Sequence, residues 1–292
     1  MENKTDNVQR FFLLGSEWVY FKLYMGSTTV ESSLIELFHP LINDLVEKKI
    51  IDKWFFINYN DPNRHLRIRF HLTDSKKNIG YLINNFYLVT QPLVNNYLIY
   101  DVQTSIYKRE VERYGYATIE HFETLFYHNS ELVLDLWKII DSNEDKRWLY
   151  ALKCVDFFLD EWGYSLENKI VFCESMDNAY SLEMKASKII NQNLSKKFRI
   201  YKPMIDDVLR NEDEVLIQLL KKYNDKVETV LTNIKTMNPE FLKDYLGSYI
   251  HMFCNRIFLS KQRVNEWVLY RFLSKYYNSE FAKNKYSKGI KL

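Results

Sequence analysis

The chain has 292 residues, of which 47% are hydrophobic and 27% are charged, so it can bury a core of ordinary size. Its 40 basic and 38 acidic residues nearly balance, and charge therefore gives no reason to expect direct binding of nucleic acid. No apolar stretch is long enough for a signal-peptide core or a membrane-spanning helix, which predicts a cytoplasmic protein without membrane insertion.

The N-terminal part carries the strand signals. Segments rich in aromatic and β-branched residues predict strands over 17–25, 53–59, 65–72 and 97–107. Apolar spacing predicts a helix over 30–48, between the first two strands. A cluster of turn-forming residues at 60–63 predicts a hairpin between the second strand and the third.

The C-terminal part is compatible with helix almost throughout. The tripeptide Asn238-Pro239-Glu240 predicts a helix start, with Asn238 as the N-cap, and this helix should run past Asn255. We therefore expect a single α+β domain over 1–292, in which a mainly antiparallel sheet packs against a largely helical C-terminal part. Its predicted parts are a strand-rich region 15–115, a helix-rich region 116–280 and a basic tail 281–292.

The cysteines do not form a recognisable framework. Cys154, Cys173 and Cys254 are odd in number and lack CxxC spacing, which argues against disulfides or a zinc site and predicts buried thiols. The sequence also lacks a phosphate-binding glycine loop, an HExxH motif and a nucleophile elbow. We expect neither a metal nor a cofactor.

The predicted strand 65–72 has two chemically different faces. Side chains alternate along a strand, so His65, Arg67, Arg69 and His71 share the face opposite the apolar residues. Arg67 and Arg69 could both reach one carboxylate, because same-face neighbours lie about 6.5–7 Å apart. The alternative is a solvated face that pairs with acidic residues on a neighbouring strand.

Two further segments carry polar groups that could take part in chemistry. In the first, Arg113 could extend the cationic site and Glu110 could orient an arginine, or the two could form a local ion pair at a helix cap. Gly115 there suits a turn with unusual dihedral angles. In the second, one polar stripe crosses the otherwise apolar helix after Pro239 at i, i+4, i+7 and i+11; it consists of Asp244, Ser248, His251 and Asn255.

Three segments, taken in order, resemble the C-terminal elimination domain of lantibiotic dehydratases, a domain shared with thiopeptide-type bacteriocin biosynthesis proteins. They are WFFINYNDPNRHLRIRF, YKREVERYG and HMFCNR, and the opening EWVYFKLYMG is similar to the start of that domain. The order and the separation of the segments carry the resemblance, which spans nearly the whole chain.

The resemblance implies a reaction and its residues. In the family, the domain acts on a precursor peptide whose Ser or Thr hydroxyl is esterified with glutamate, and it expels the glutamate to leave dehydroalanine or dehydrobutyrine. Arg69, Arg113 and His251 match the catalytic residues. The candidate substrate-binding residues are Arg67, His65, Glu110, Tyr114, Asn255 and Arg256. Loss of a weakly acidic Cα proton needs a base and stabilised enolate charge, and arginine binds the departing carboxylates well.

The chain departs from the family pattern in several places. Asn58 stands where arginine is common, Tyr116 where a second glycine is common, and Asn129-Ser130 where an aspartate-serine pair is common. These departures bear on substrate contacts more than on the reaction. Fused dehydratases carry a large glutamylating region ahead of this domain, and we expect a separate polypeptide to supply that activity here.

We therefore expect a lyase, the stand-alone glutamate-elimination component of a split dehydratase. Its expected partners are a precursor peptide with a leader, a separate glutamylating subunit that uses glutamyl-tRNA, and a second copy in a homodimer. Two alternatives stay open. One is a pyridine-forming cyclase of thiopeptide assembly, which joins two dehydroalanines and eliminates the leader. The other is a non-catalytic scaffold that binds the leader by strand addition at a sheet edge.

Overall fold

The computed structural model describes residues 8–210 and 213–289, without the side chains of 286–289. Its strands are β1 (Phe11–Phe12), β2 (Trp18–Met25), β3 (Ile51–Tyr59), β4 (His65–Leu72), β5 (Ile99–Thr104) and β6 (Tyr107–Lys108). Its helices are α1 (Ser27–Ser33), α2 (His39–Glu47), α3 (Ser75–Asn95), α4 (Val111–Tyr114), α5 (Ile119–Ile140), α6 (Glu144–Glu161), α7 (Leu166–Glu183), α8 (Lys188–Leu209), α9 (Glu214–Met237), α10 (Leu242–Ile257) and α11 (Gln262–Gly289). The predicted basic tail is helical as far as Gly289, and Lys291 lies outside the described residues.

The strands form an antiparallel sheet in the order β3-β4-β2-β5, and β1 pairs separately with β6. The predicted α+β class is confirmed. The predicted strand 65–72 coincides with β4, and the predicted hairpin joins β3 to β4. The predicted helix 30–48 begins earlier, at Ser27, and a π-helical turn, Leu34–Phe38, joins α1 to α2.

The prediction of one continuous strand over 97–107 was wrong. β5 ends at Thr104, and Tyr107 belongs to β6 in the other sheet. The backbone N–H of Ser105 makes a last hydrogen bond to the carbonyl of Tyr20, after which the chain leaves the larger sheet. The sequence alternation continues across this break, so it gave no sign of it.

The described residues divide into two compact units. The first contains the residues up to Ile139 together with Tyr223–Ser248, and the second contains Ile140–Lys222 together with the residues from Tyr249 onward. The first unit holds both sheets, and the second is helical. That 1–292 form a single domain stays a prediction.

The apolar face of β4 forms part of the core of the first unit. Leu66, Ile68, Phe70 and Leu72 are all buried. The ring of Phe86 on α3 stacks on that of Phe21 with centroids 4.1 Å apart and meets Phe70 edge-on at 5.8 Å. Each buried side chain of this size stabilises the fold by about 1.5–3 kcal/mol. This packing fixes the register of β4 and so directs the alternate residues to the opposite face.

The two edges of the larger sheet differ. β3 lies against α5, where Trp54 Nε1 donates to the Glu131 carboxylate at 2.6 Å and the Phe56 ring meets that of Trp137. In β5 only Ile99 is buried, and the next five residues are exposed. Among the described residues, no helix is both long and apolar enough to cross a membrane.

The helix predicted to start at Asn238 begins as expected, but its cap differs. A 3-10 turn, Pro239–Phe241, precedes α10, which runs past Asn255 to Ile257. Asn238 makes no side-chain cap hydrogen bond. Its amide instead donates to the Tyr245 hydroxyl at 3.1 Å, so the predicted N-cap role of this side chain was wrong.

Candidate functional site

Arg69 lies at the centre of the sheet, on the face opposite the core residues of β4. The strand register places Tyr20 of β2 and Phe55 of β3 directly beside it. Its guanidinium carbon lies 4.3 Å from the ring centroid of Tyr20, 5.0 Å from that of Tyr107 and 5.1 Å from that of Phe55. The side chain is buried among these rings, although the sequence predicted only a cationic face.

The Arg69 guanidinium lacks the partners that a buried cation normally has. Its Nε and Nη1 are buried and donate no hydrogen bond to any described residue, and Arg69 forms no ion pair with a described carboxylate. Burial lowers the pKa of Arg69, and the Glu110 carboxylate is among the groups that oppose this shift. Because an uncompensated buried charge is strongly unfavourable, the arrangement suits an anionic ligand that would complete it.

Tyr107 is held in place by a buried polar network that the sequence reasoning missed. Its hydroxyl donates to Glu123 Oε1 at 2.8 Å, and Arg109 donates from Nε and Nη2 to the two oxygens of the same carboxylate at 2.7 Å each. The Glu123 side chain is 1% exposed and that of Arg109 is 5% exposed. The sequence does contain an indication of this network, because Glu123 follows Phe122 on the side of α5 that faces the core.

Arg67 lies beside Arg69 but closer to the surface. Its guanidinium carbon stacks 3.3 Å above the Tyr59 ring, and its Nε donates to His65 Nε2 at 3.0 Å. His65 Nδ1 donates to the Asn63 carbonyl at 2.8 Å, so this histidine is neutral and accepts from Arg67. Burial lowers the pKa of His65, which favours the same state.

The alternative prediction, that the polar side chains of β4 pair with acidic residues on a neighbouring strand, holds for only part of β4. His71 Nδ1 donates to Asp52 Oδ1 on β3 at 2.6 Å, as a paired surface side chain would. Arg67 and Arg69 have no such carboxylate partner in the part of the chain that the structure describes. The departure at Asn58 lies elsewhere, since Asn58 is opposite Leu66 and alternation puts it on the other face of the sheet.

Arg113 lines a cavity of about 690 Å³ in the first unit. It forms an ion pair with Glu110 at 3.3 Å, and both side chains are exposed to solvent. The cavity wall also includes the first two residues of the polar stripe on α10; its lining comprises Glu110, Val111, Glu112, Arg113, Gly115, Phe241, Asp244, Tyr245 and Ser248. The predicted local ion pair is therefore present, and a role of Arg113 and Glu110 in a cationic site stays a prediction.

The floor of this cavity depends on a glycine. Gly115 has φ of +74°, as the sequence predicted for a turn with unusual dihedral angles. A Cβ there would lie 2.6 Å from the Tyr245 hydroxyl and 2.8 Å from Thr118 Oγ1. The candidate Tyr114 is buried against Phe122, so its role in substrate binding stays a prediction.

His251 lies in the second unit, on α10. Its Nδ1 donates to Glu266 Oε2 at 2.9 Å, and the Glu266 side chain is fully buried while that of His251 is 29% exposed. Gln262 Nε2 and Arg263 Nη1, both on α11, each lie 3.3 Å from the same ring nitrogen. With Nδ1–H held by a carboxylate, Nε2 keeps its lone pair and can take a proton.

Other features of the second unit also bear on the predicted residues. Arg256 is fully buried and donates to the Met252 carbonyl at 3.2 Å, whereas Asn255 is partly exposed. Their roles in substrate binding stay predictions. The three cysteines are buried and unbonded, as predicted, and burial raises the pKa of each thiol. Among the described residues, no cluster of His, Cys, Asp or Glu could hold a metal ion.

Fold and site together define a class: an α+β protein whose sheet holds buried arginine without an anionic partner and whose helical unit carries a carboxylate-bound histidine. The family model described as lantibiotic biosynthesis dehydratase C-term matches residues 18–277. The chain belongs to this family, as the three sequence segments indicated. The subtilin biosynthesis protein SpaB of Bacillus subtilis is 25% identical over 263 residues, which are 87% of this chain and 25% of SpaB. The chain spans about a quarter of the length of the curated relatives it matches.

The solved structures that share the fold include a dehydratase and a pyridine synthase. The crystal structure of the tRNA dependent lantibiotic dehydratase MibB from Microbispora sp. 107891 matches with a TM-score of 0.73 at 18% identity, over 94% of this chain and 29% of that chain. TbtD, the pyridine synthase from thiomuracin biosynthesis, matches with a TM-score of 0.61 at 9% identity, over 90% of this chain and 99% of that chain. At these identities the likeness shows the fold alone.

Proposed function

We propose that this protein is a lyase that eliminates glutamate from glutamylated Ser or Thr residues of a precursor peptide. One observation carries the proposal: the guanidinium of Arg69 is buried with Nε and Nη1 unpartnered, which suits the carboxylate of a departing glutamate. Membership of the dehydratase C-terminal family supports the same reaction. Glutamylation has to precede this step.

The reaction divides into a proton transfer and a bond cleavage. A base removes the Cα proton of the esterified residue, and its electron pair forms the Cα=Cβ double bond. The Cβ–O bond breaks, and its electrons leave with glutamate as a carboxylate. The products are dehydroalanine or dehydrobutyrine and free glutamate. Catalysis therefore needs a base, stabilisation of the enolate charge and a cation for the leaving group.

Each requirement has a candidate residue. Arg69 binds the carboxylate that forms on cleavage, and Arg113, exposed in its cavity, stabilises charge on the substrate. His251 accepts the proton at Nε2, because Glu266 holds the proton on Nδ1. That these residues act on one substrate is part of the proposal and rests on the family resemblance.

The test uses a synthetic peptide with one glutamylated Ser, incubated with the protein and followed by mass spectrometry. Wild-type protein should release glutamate, and Arg69→Gln or His251→Ala should slow release by about 100-fold or more. His71→Ala is the matched control, since His71 shares the strand face of Arg69 but already binds Asp52. No release by wild type, or equal release by His251→Ala, would contradict the proposal.

Additional substrates distinguish the proposed lyase from two alternatives, pyridine formation and leader binding without catalysis. TbtD shares the fold and is a pyridine synthase, so a peptide that already contains dehydroalanines should be supplied in parallel. A macrocycle and a freed leader would favour pyridine formation. Leader binding without any turnover, unaffected by His251→Ala, would favour a scaffold, and the exposed edge of β5 is where strand addition would be sought.

A further inference from the structure

Lys22 is a third cation on the sheet face that carries Arg67 and Arg69. The register of β2 with β4 places Lys22 directly opposite Arg67, and the register of β2 with β5 places it opposite Gln103. Cross-strand neighbours have Cβ atoms about 4.5–5.5 Å apart, so the two side chains leave the sheet close together. Lys22 lies more than 40 residues from Arg67 in the chain, so only the pairing of β2 with β4 brings the two side chains together.

Nothing among residues 8–210 and 213–289 neutralises this pair. Neither Lys22 nor Arg67 forms an ion pair with a described carboxylate, and the nearby Asp101 already accepts a hydrogen bond from Gln103 at 2.7 Å. Burial lowers the pKa of Lys22, and Arg67 and Arg69 lower it further. Like charges directly opposite each other destabilise a sheet, so this arrangement works against folding.

We propose that Lys22 and Arg67 form a second anion subsite, which binds the free carboxylate of the glutamyl group while Arg69 receives the carboxylate that forms on cleavage. This inference rests on the proposed function. A glutamyl ester has one free carboxylate before elimination and two after it. The strand repeat puts the Cα atoms of Arg67 and Arg69 about 6.5–7 Å apart, and one glutamate, whose carboxylates are separated by three carbons, is of a size to contact both side chains.

This subsite should favour a substrate that carries a free carboxylate over one that carries a neutral group in its place. An ester of glutamine has the shape of the glutamate ester but carries a neutral amide where the glutamate ester has its free carboxylate. Wild-type protein should therefore prefer the glutamyl ester. A charged hydrogen bond contributes about 1.5–3 kcal/mol, which corresponds to about 10- to 150-fold in kcat/KM.

The experiment compares elimination from two peptides, one carrying a Ser esterified through the α-carboxyl of glutamate and the other through that of glutamine. In Lys22→Gln, kcat/KM for the glutamyl ester should fall at least 10-fold, mainly through KM, with the glutaminyl ester almost unaffected. Lys22→Arg keeps the charge and should keep the preference. Lys53→Gln is the matched control, because Lys53 lies on the same sheet face beside Asp52.

Two measurements separate this inference from the proposed function. The midpoint of urea unfolding should rise in Lys22→Gln, because repulsion from Arg67 is relieved, whereas loss of a structural contact would lower it. Free glutamate should bind wild type and Lys53→Gln in titration calorimetry and bind Lys22→Gln at least 10-fold more weakly. Equal loss on both esters, or unchanged glutamate binding in Lys22→Gln, overturns the subsite. Wild type that binds glutamate at Lys22 yet releases none contradicts only the proposed function.

Discussion

The buried pair of Arg109 and Glu123 should be essential for the stability of the first unit. Glu123→Gln keeps the volume of the side chain but removes the charge that compensates Arg109, whose side chain is 5% exposed. Breaking a buried pair by removing one partner destabilises a protein by about 3–5 kcal/mol, since the other charge remains buried. Tyr107 would also face a neutral acceptor instead of a carboxylate.

The control for this prediction lies one helical turn away. Glu120 also contacts Arg109, at 3.1 Å, but its side chain is 63% exposed, so Glu120→Gln should cost less than about 1 kcal/mol. Urea unfolding followed by circular dichroism measures both changes. If Glu123→Gln destabilises the protein no more than Glu120→Gln does, the buried pair does not stabilise the sheet as argued.

Three other changes give measurable outcomes. Glu266→Gln should lower kcat of elimination by about 100-fold with little change in KM, because the Nδ1–H of His251 loses its anionic acceptor; an unchanged kcat contradicts this. Gly115→Ala should destabilise the fold by about 1–3 kcal/mol, since φ is positive and the added Cβ would meet two hydroxyl groups. Gly80→Ala, in open space on α3, should instead stabilise the fold. A thermal melt in which both variants shift the melting temperature in the same direction contradicts this. Burial lowers the pKa of His128 from 6.5 to about 4, so the unfolded chain takes up a proton that the folded protein does not, and stability should fall by about 1–2 kcal/mol as pH drops through this range. His128→Gln should flatten that slope in pH-dependent urea unfolding.

The cationic face of β4 could be predicted from sequence because it depends only on local alternation. Apolar residues at every second position fix which face is buried, and this placed Arg67 and Arg69 together. Their surroundings could not be predicted in the same way. Tyr20, Phe55 and Tyr107 come from other strands, and only the pairing of those strands brings them to Arg69.

The partner of His251 was missed for a different reason. Glu266 lies on the next helix, at a position where the neighbouring turns of α11 bury Tyr270 and Leu273. A carboxylate on the buried side of an amphipathic helix requires a partner, and this pattern could have indicated one. The sequence alone does not say which donor supplies it, because helix packing, not helix periodicity, brings His251 to that position.

The aromatic surroundings of the cationic face explain how its charge can be retained without acidic partners. A guanidinium presents its hydrogen-bond donors in its plane and its apolar surface above and below that plane. The rings of Tyr20 and Tyr59 lie close to Arg69 and Arg67 and stabilise the cations through their π-electrons. Carboxylates in the same places would neutralise the cations, but they would occupy the donors that an anionic substrate needs. Stacking on rings holds both arginines in position and leaves Nε and Nη1 of Arg69 without a protein acceptor.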